Sequence, residues 1–261
     1  MLSALVRTLF VLTIPLSAVT VWATESRVVL VGGYIFPPYV IEEAPERYSG
    51  ATLELIELLN QSQNTFHFEF IPIAAHSRQH TWRNERYDVI LFESPHWQWQ
   101  QEDIGFTQPF AEDRDLYIAL AEPGRDQTVF NAIDEMRIIG TRGYHYGFAG
   151  YVTDEAALQE RFQITFAPTL EVTLNMLERG RGDLTLINES YIRVLSAQGR
   201  IDQSHLISEK ADHTYELGIG VRPGQGLAIE WFEEQVNRLF EQGDLSELAQ
   251  RWGLNLLFDH E

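Results

Sequence analysis

The sequence predicts an α/β protein made of two α/β units. Three observations carry this. Short apolar strands and helix-spaced segments alternate as β-α-β-α-β between Arg27 and Phe92. The same alternation recurs between Leu116 and Gln198. The chain then closes with one strand and two amphipathic helices, with no long linker or low-complexity segment between the parts. With 261 residues and 44% hydrophobic content, the chain can bury a sizeable core.

Taken in order, Arg27–Gly33 (RVVLVGG) reads as a buried strand, and Phe36-Pro37-Pro38-Tyr39 breaks it into a loop. Leu53, Ile56 and Leu59 recur with helical spacing in 51–60. Phe66, Phe68 and Phe70 alternate along a strand over 66–73. A helix is expected over roughly 77–84 and a buried strand over 87–92. In the middle section, strands are expected at 116–121, 137–140, 164–166 and 183–187. Helices are expected at 154–161, 171–179 and 190–198. Glu216–Val221 is the last predicted strand, and Pro223-Gly224-Gln225-Gly226 a turn. Ile229, Phe232, Val236, Leu239 and Phe240 form one apolar stripe on a helix over 227–241. Gly243 stops it, and 245–252 forms a second helix.

The formal charge of −19 repels a phosphate backbone, so nucleic acid is not an expected partner. The chain has no Cys, which excludes disulfides, thiolate metal sites and thiol catalysis. At the N-terminus, Arg7 precedes a nearly unbroken apolar run over 9–21 containing Pro15. Val21-Trp22-Ala23 then leads into polar Thr24-Glu25-Ser26. Small residues around a bulky one predict a secretory leader cleaved after Ala23, residues 1–23; the alternative is a leader retained as an anchor. His76 and His80 stand four apart, but without an intervening Glu or a third ligand no metal site is expected. Neither a Gly-x-Ser-x-Gly motif nor a phosphate-cradling Walker loop occurs, and no cofactor is expected.

Several segments in register resemble the family 3 bacterial periplasmic solute-binding proteins, the receptors of polar amino-acid uptake: VVLVGGYIFPPYV, YSGATLELIELL, ERYDVIL, IGFTQPFAED, RIIGTRGYHYG, LERGRGDLTLI and the closing ELGIGVRPG…FEEQVNRLFEQGDLSELAQRWG. The resemblance spans nearly all of the chain after the leader. It implies a two-lobe type II periplasmic binding fold. Lobe 1 would comprise 27–110 plus 217–258 and lobe 2 would comprise 115–212, with hinge strands near 110–114 and 213–217. Hinge closure would trap a ligand at the strand C-termini facing the cleft.

The resemblance also suggests site residues. Phe36 matches the family's ligand-covering aromatic. The family's carboxylate-gripping Arg falls at Gln100 and its accompanying Thr at Trp97. The ammonium-binding Asp falls at Asn188, and the first-loop Asp at Gly33. The usual clamp is thus missing at three positions. Replacement candidates are Arg142 with Gly143 and Tyr144, in a loop expected to open a helix, and Arg78 at a first-lobe helix start, both suited to an anion. Glu93, Ser94 and Glu189 could meet an amine or polar group. Trp97, Trp99 and Tyr144 could stack on a flat or cationic ligand.

The function expected from this is a non-catalytic periplasmic receptor, monomeric, that passes a small polar or charged molecule to the permease of an ABC-type transporter. Two alternatives stay open: a ligand-sensing partner of a membrane sensor, and a cyclohexadienyl-type dehydratase on the same fold using Glu93 or Glu189 as a general acid.

Overall fold

The computed structural model of the chain describes residues 26–224 and 226–258; the expected leader at 1–23 lies outside them. In chain order the elements are β1 (Arg27–Gly33), β2 (Ile41–Ala44), β3 (Arg47–Ser49), α1 (Ala51–Ser62), β4 (Phe66–Pro72), α2 (Arg78–Arg83), β5 (Val89–Glu93), β6 (Gly105–Phe106), β7 (Ala111–Leu120), β8 (Ile138–Thr141), α3 (Glu155–Arg161), β9 (Ile164–Ala167), α4 (Leu170–Glu178), β10 (Leu184–Asn188), α5 (Glu189–Ala197), β11 (His205–Val221), α6 (Ile229–Gln242), α7 (Asp244–Trp252) and β12 (Asn255–Leu256). Among the described residues no helix is long and apolar enough to cross a membrane.

Hydrogen bonding runs along one path of strands, β4-β1-β5-β11-β7-β10-β8-β9. β11 is where it turns from one body to the other. Its last residues, Gly218–Val221, pair with β5, while His205–Leu217 pair with β7. On one side of this turn β4, β1 and β5 are parallel. On the other, β9, β8 and β10 are parallel and β7 runs antiparallel to β10. Parallel strands need crossover helices on the sheet faces, which explains the alternating β-α order.

The buried side chains gather accordingly. One cluster joins Val29, Leu55, Phe68, Trp82 and Val89 with Leu217, Ile219, Phe232 and Leu248, so the C-terminal helices pack back on the N-terminal sheet. The second body buries both faces of its sheet. Leu116, Ile118, Ile139 and Ile187 face α4 and α5. Tyr117, Ile138, Leu184 and Leu186 face Leu158 of α3 and Tyr146. Adjacent residues on one strand fall in different clusters, as the two-residue period of a strand requires.

Local signals set the helix limits. Asp154 accepts from Ala157 N at 2.8 Å at the start of α3, and Thr169 from Val172 N at 3.3 Å at the start of α4. Gly243, at φ 89°, ends α6 in a left-handed conformation.

Three expectations change. The segment after Arg142 is not a helix: turns over 142–154, with Gly143, Gly150 and Tyr151 at positive φ, delay the next helix to Glu155. The last long strand begins at His205, not Glu216, because its polar stretch pairs with β7. Residues 41–49 form a small hairpin where only a loop was expected.

Leu174 is fully buried between α4 and the second sheet. Leu174→Ala should lower unfolding stability by about 2–5 kcal/mol through lost transfer energy and the cavity left behind. Urea denaturation reads this, and a loss under about 1 kcal/mol would contradict the packing described.

Candidate functional site

The cleft between the two bodies is lined from three directions. The loop after β1 contributes Tyr34 and Phe36, α2 contributes Arg78, and the loop after β5 contributes Trp97. The loop after β8 contributes Gly143, Tyr144 and His145. The crossing strands contribute Asp115 from β7 and His213 and Tyr215 from β11. Three of these loops follow the C-terminal ends of parallel strands, the position expected for a site in open α/β sheets. The cavity they enclose is about 30 Å³, counted as room for water centres.

Aromatic rings form its walls. Phe36 stacks on Tyr39 at 4.8 Å and meets Trp97 and Tyr144 edge-on, each at 5.7 Å. Trp97 lies 5.0 Å from Tyr215. The backbone of residue 36 is pinned by reciprocal bonds with Val40, both 3.0 Å, next to the cis Pro37–Pro38 bond. Tyr144 reaches across the cleft, its hydroxyl 3.5 Å from Ile35 O. Gly143, at φ 76°, marks the closest approach of this loop to the first body: a Cβ there would sit 3.3 Å from His76 N.

Arg78 is 4% exposed. Its Nε donates to Glu93 Oε1 at 3.0 Å, Nη1 to Ala75 O at 2.8 Å and Nη2 to Trp97 O at 3.1 Å. A guanidinium has five N–H groups, so part of the fork stays available to the cavity. Glu93 accepts from three donors: Arg78 at Oε1, the Trp99 indole N–H at Oε1 at 2.8 Å and the Tyr34 hydroxyl at Oε2 at 2.9 Å. Phe92, at φ 52°, is the extra residue of a bulge where β5 slips against β11. Bulges beside a site re-aim the neighbouring side chain, here Glu93. Burial raises the Glu93 carboxyl against the pull of Arg78, Trp99 and Tyr34. Burial alone would lower the Arg78 guanidinium, but Glu93 reverses this and raises it.

Asp115, His213 and Tyr215 of the crossing strands also line the cavity. His213 and Asp115 are cross-strand partners, as are Tyr215 and Asp113. Tyr215 donates diagonally to Asp115 Oδ1 at 3.2 Å. His213 Nδ1 stands 3.7 Å from Asp115 Oδ2 and 3.5 Å from Asp212 Oδ2. Burial pushes Asp115 up to about 7. For His213 burial acts downward, but Asp212 and Asp115 outweigh it and leave the imidazole raised. His145 is lowered to about 4, first by burial and then by the nearby Arg78 charge.

The structure brings Phe36, Arg78, Trp97, Gly143 and Tyr144 together at one cavity. Glu93 stands behind Arg78, and Ser94 is fully buried beside a second, adjoining cavity. Trp99 is buried under Glu93 rather than exposed to a ligand. Arg142 is elsewhere: its side chain is 64% exposed and 3.6 Å from Glu155, because the turns after it point it outward. Asn188 is buried and donates to Asp113 Oδ2 at 2.9 Å. Glu189 pairs with Arg114 at 2.7 Å and Arg193 at 3.0 Å, away from the cavity. Sequence reasoning missed Asp115, His145, His213 and Tyr215. The available signal was their alternation: Asp113 and Asp115, and His213 and Tyr215, each sit two apart on the crossing segments, hence on one face. Among the described residues no group of three or more His, Cys, Asp or Glu could hold a metal ion.

Glu93→Gln leaves the Arg78 guanidinium buried without its counter-charge and should cost about 3–5 kcal/mol, read by urea denaturation. Asp115 keeps its proton in the folded state up to about 7, whereas its ordinary value is 3.8. Ionisation therefore destabilises the native state as pH rises through that window. Asp115→Asn removes this loss, so the variant should gain stability relative to the wild type from the lower value to the upper. A difference constant with pH would contradict the burial of this carboxyl.

Comparison with known proteins agrees with this architecture. The family model for bacterial extracellular solute-binding proteins, family 3, matches residues 29–255. A search of curated proteins finds no match. Among solved structures, an ABC uptake transporter substrate-binding protein from Streptococcus pneumoniae with bound histidine superposes with a TM-score of 0.68 at 16% identity, over 86% of this chain and 92% of that one. An ancestral arginine-binding protein bound to arginine gives 0.66 at 14% identity, over 87% and 99%. An ancestral amino-acid-binding protein, a precursor of cyclohexadienyl dehydratase, gives 0.63 at 13% identity, over 86% and 95%. At such identities the likeness establishes the fold, that of the two-lobe type II periplasmic binding proteins. With its family model matched from the first strand to the last, the chain belongs to family 3 of the bacterial extracellular solute-binding proteins.

Proposed function

We propose that this protein is a periplasmic receptor that captures an amino-acid-like zwitterion and delivers it to the permease of an ABC-type transporter without transforming it. One observation carries this reading: a single aromatic-walled cavity has Arg78 of the first body on one side and Asp115 of the crossing strand on the other. A guanidinium fork suits a carboxylate, and a carboxylate facing it suits an ammonium. In this reading Asp115 does the work for which the family uses the position of Asn188, and Arg78 replaces the arginine missing at Gln100. The three proteins compared above are described as histidine-bound, arginine-bound and amino-acid-binding, which favours the same ligand class.

The lobes are proposed as 27–110 with 217–258, and 115–212, with hinges near 110–114 and 213–217. The buried clusters support that division. The cavity of about 30 Å³ has room for only two or three waters, at roughly 10–15 Å³ each, so a ligand enters only as the lobes part. The expected leader at 1–23, removed on export to the periplasm, and a monomeric mature protein complete the proposal. Both carboxylates considered for dehydratase chemistry are engaged elsewhere, Glu93 by three donors and Glu189 by two arginines, which supports binding without turnover.

A thermal-shift screen of α-amino acids tests this. A ligand at 100 times its Kd should stabilise the fold by about 2.7 kcal/mol. Calorimetry on Asp115→Asn should then show affinity for that amino acid weakened by about 2–5 kcal/mol. No stabilisation by any α-amino acid, or unchanged affinity in the variant, would contradict the reading.

A further inference from the structure

The aspartates of the crossing ribbon are unevenly supplied with donors. Asp113 accepts from the Tyr39 hydroxyl at 2.8 Å, from Asn188 Nδ2 at 2.9 Å, and from the backbone N–H groups of Arg114 and Ser190 at 2.9 and 3.2 Å. Asp212 accepts from the Tyr117 hydroxyl and from Gly147 N and Phe148 N. For Asp115, 7% exposed, the one hydrogen-bond donor among the described residues is the Tyr215 hydroxyl at 3.2 Å. His213 Nδ1 lies nearer to Asp212, at 3.5 Å, than to Asp115, at 3.7 Å. A buried carboxylate with so few donors favours its acid form.

The neighbouring strand carries a matching gap. Asn188 on β10 is the direct cross-strand partner of Asp115. It is 1% exposed, its Nδ2 is engaged by Asp113, and its Oδ1 makes no hydrogen bond. Buried acceptors are ordinarily satisfied. Residues directly opposite on antiparallel strands hold their Cβ atoms about 4.5–5.5 Å apart, within reach of a carboxylic O–H. A protonated Asp115 can fill this gap; an ionised one has no donor to offer.

Most other groups around Asp115 keep one charge state in mildly acidic solution. Burial raises the hydroxyls of Tyr34 and Tyr39 in the first body, Tyr144 and Tyr146 in the loop after β8, and Tyr117 and Tyr215 in the ribbon, so all stay neutral. His145, lowered to about 4 first by burial, is neutral above that value. Burial acts downward on Arg78, but Glu93 outweighs it and the guanidinium stays charged. Burial acts upward on Asp212, but His213, Tyr117 and two backbone N–H groups hold it below its usual value. Asp113 is raised by burial against its donors, and it lies outside the cavity lining. Two titrating groups face the cavity: Asp115, pushed up to about 7 chiefly by burial, and the raised imidazole of His213.

We propose that capture in this cleft is linked to a proton: Asp115 holds one while the site is empty and releases it to solvent as the ammonium of the guest arrives. The ammonium N–H groups then donate to the carboxylate, and the cation is neutralised where it binds. Affinity therefore falls as the surroundings turn acidic, by about tenfold per pH unit below the point where Asp115 ionises. The linkage rests on the receptor reading above and adds its regulation.

Isothermal titration in two buffers of different ionisation enthalpy counts the protons released on binding. The probes are the standard α-amino acids, and for histidine the titration of its own imidazole is subtracted. At about pH 6 an amino acid that binds should release close to one proton; at about pH 8 it should release close to none and bind about tenfold tighter or more. His213→Gln separates the two titrating groups. The His213 cation holds Asp115 down, so its removal should leave the release at about pH 6 intact and extend it to higher pH. Loss of the release in that variant would assign the proton to the imidazole and overturn the proposal; if the variant does not fold, the wild-type count decides. Binding to the wild type with no proton released at about pH 6, or with equal affinity at both pH values, would overturn the linkage and leave the receptor reading standing. If no standard α-amino acid binds at either pH, the receptor reading falls and the linkage with it.

Discussion

The structure depends on the ladder between β7 and β11. This ribbon is the chain's crossing between its two bodies: Ala111–Leu120 runs outward into the second sheet, and His205–Leu217 returns to hand Gly218–Val221 to the first. Because strand side chains alternate, one face of the ribbon carries Asp113, Asp115, His213 and Tyr215 together, and this face is turned into the protein. A strand that connects two cores would ordinarily be apolar on its buried face. Here it is acidic, and both bodies are built to satisfy it. Tyr39 of the first donates to Asp113 at 2.8 Å, and Asn188 and the backbone of Ser190 of the second donate to the same carboxylate at 2.9 and 3.2 Å. Asp212, beside the ribbon's irregular register, accepts from the Tyr117 hydroxyl and from the backbone N–H groups of Gly147 and Phe148, the latter at 2.7 Å. The crossing strand thereby holds the loop that carries Tyr144 and His145.

Burying so many ionisable groups is costly unless each is paired or protonated. The two sides of the cavity solve this differently. Arg78 pairs with Glu93, which Tyr34 and Trp99 also hold by hydrogen bonds, so the guanidinium is fixed while part of its fork stays available. Asp115 instead sits between a raised imidazole and two other aspartates, with its own pKa near 7, so its charge is poorly compensated. An ammonium group is the kind of partner such a carboxylate lacks. A rigid donor side and an undersatisfied acceptor side fit a site whose last partner is the ligand.

Much of the architecture was legible in the sequence because it is written in short-range periodicity. The Val29, Val31 pattern of β1, the Phe66, Phe68 pattern of β4 and the apolar stripe of α6 each specify an element and its buried face. The glycine-terminated helices and the aromatic loop at Phe36 were likewise readable. What was not legible arose from long-range pairing. The polar run SEKADHTYE has no apolar alternation, yet it is strand because β7 lies beside it. Arg142 looked like an anion-binding residue because a helix was expected to follow; the turns after it instead leave it facing solvent and Glu155. Asp115 and His213 stood at the predicted crossings and were read as boundaries rather than as the site itself. Their meeting depends on two segments about a hundred residues apart pairing in register, which no local pattern encodes.

In the proposed function, the two bodies joined by this ribbon close over one guest. The chain contains no Cys, so spin labels can be placed at will. Glu57 on α1 and Glu160 on α3 are exposed and belong to opposite bodies. Pulsed electron–electron resonance between labels on Glu57→Cys and Glu160→Cys measures their separation directly. With an α-amino acid that calorimetry shows to bind, the account predicts a shorter and narrower distance distribution than without it. An identical distribution at saturation would contradict it.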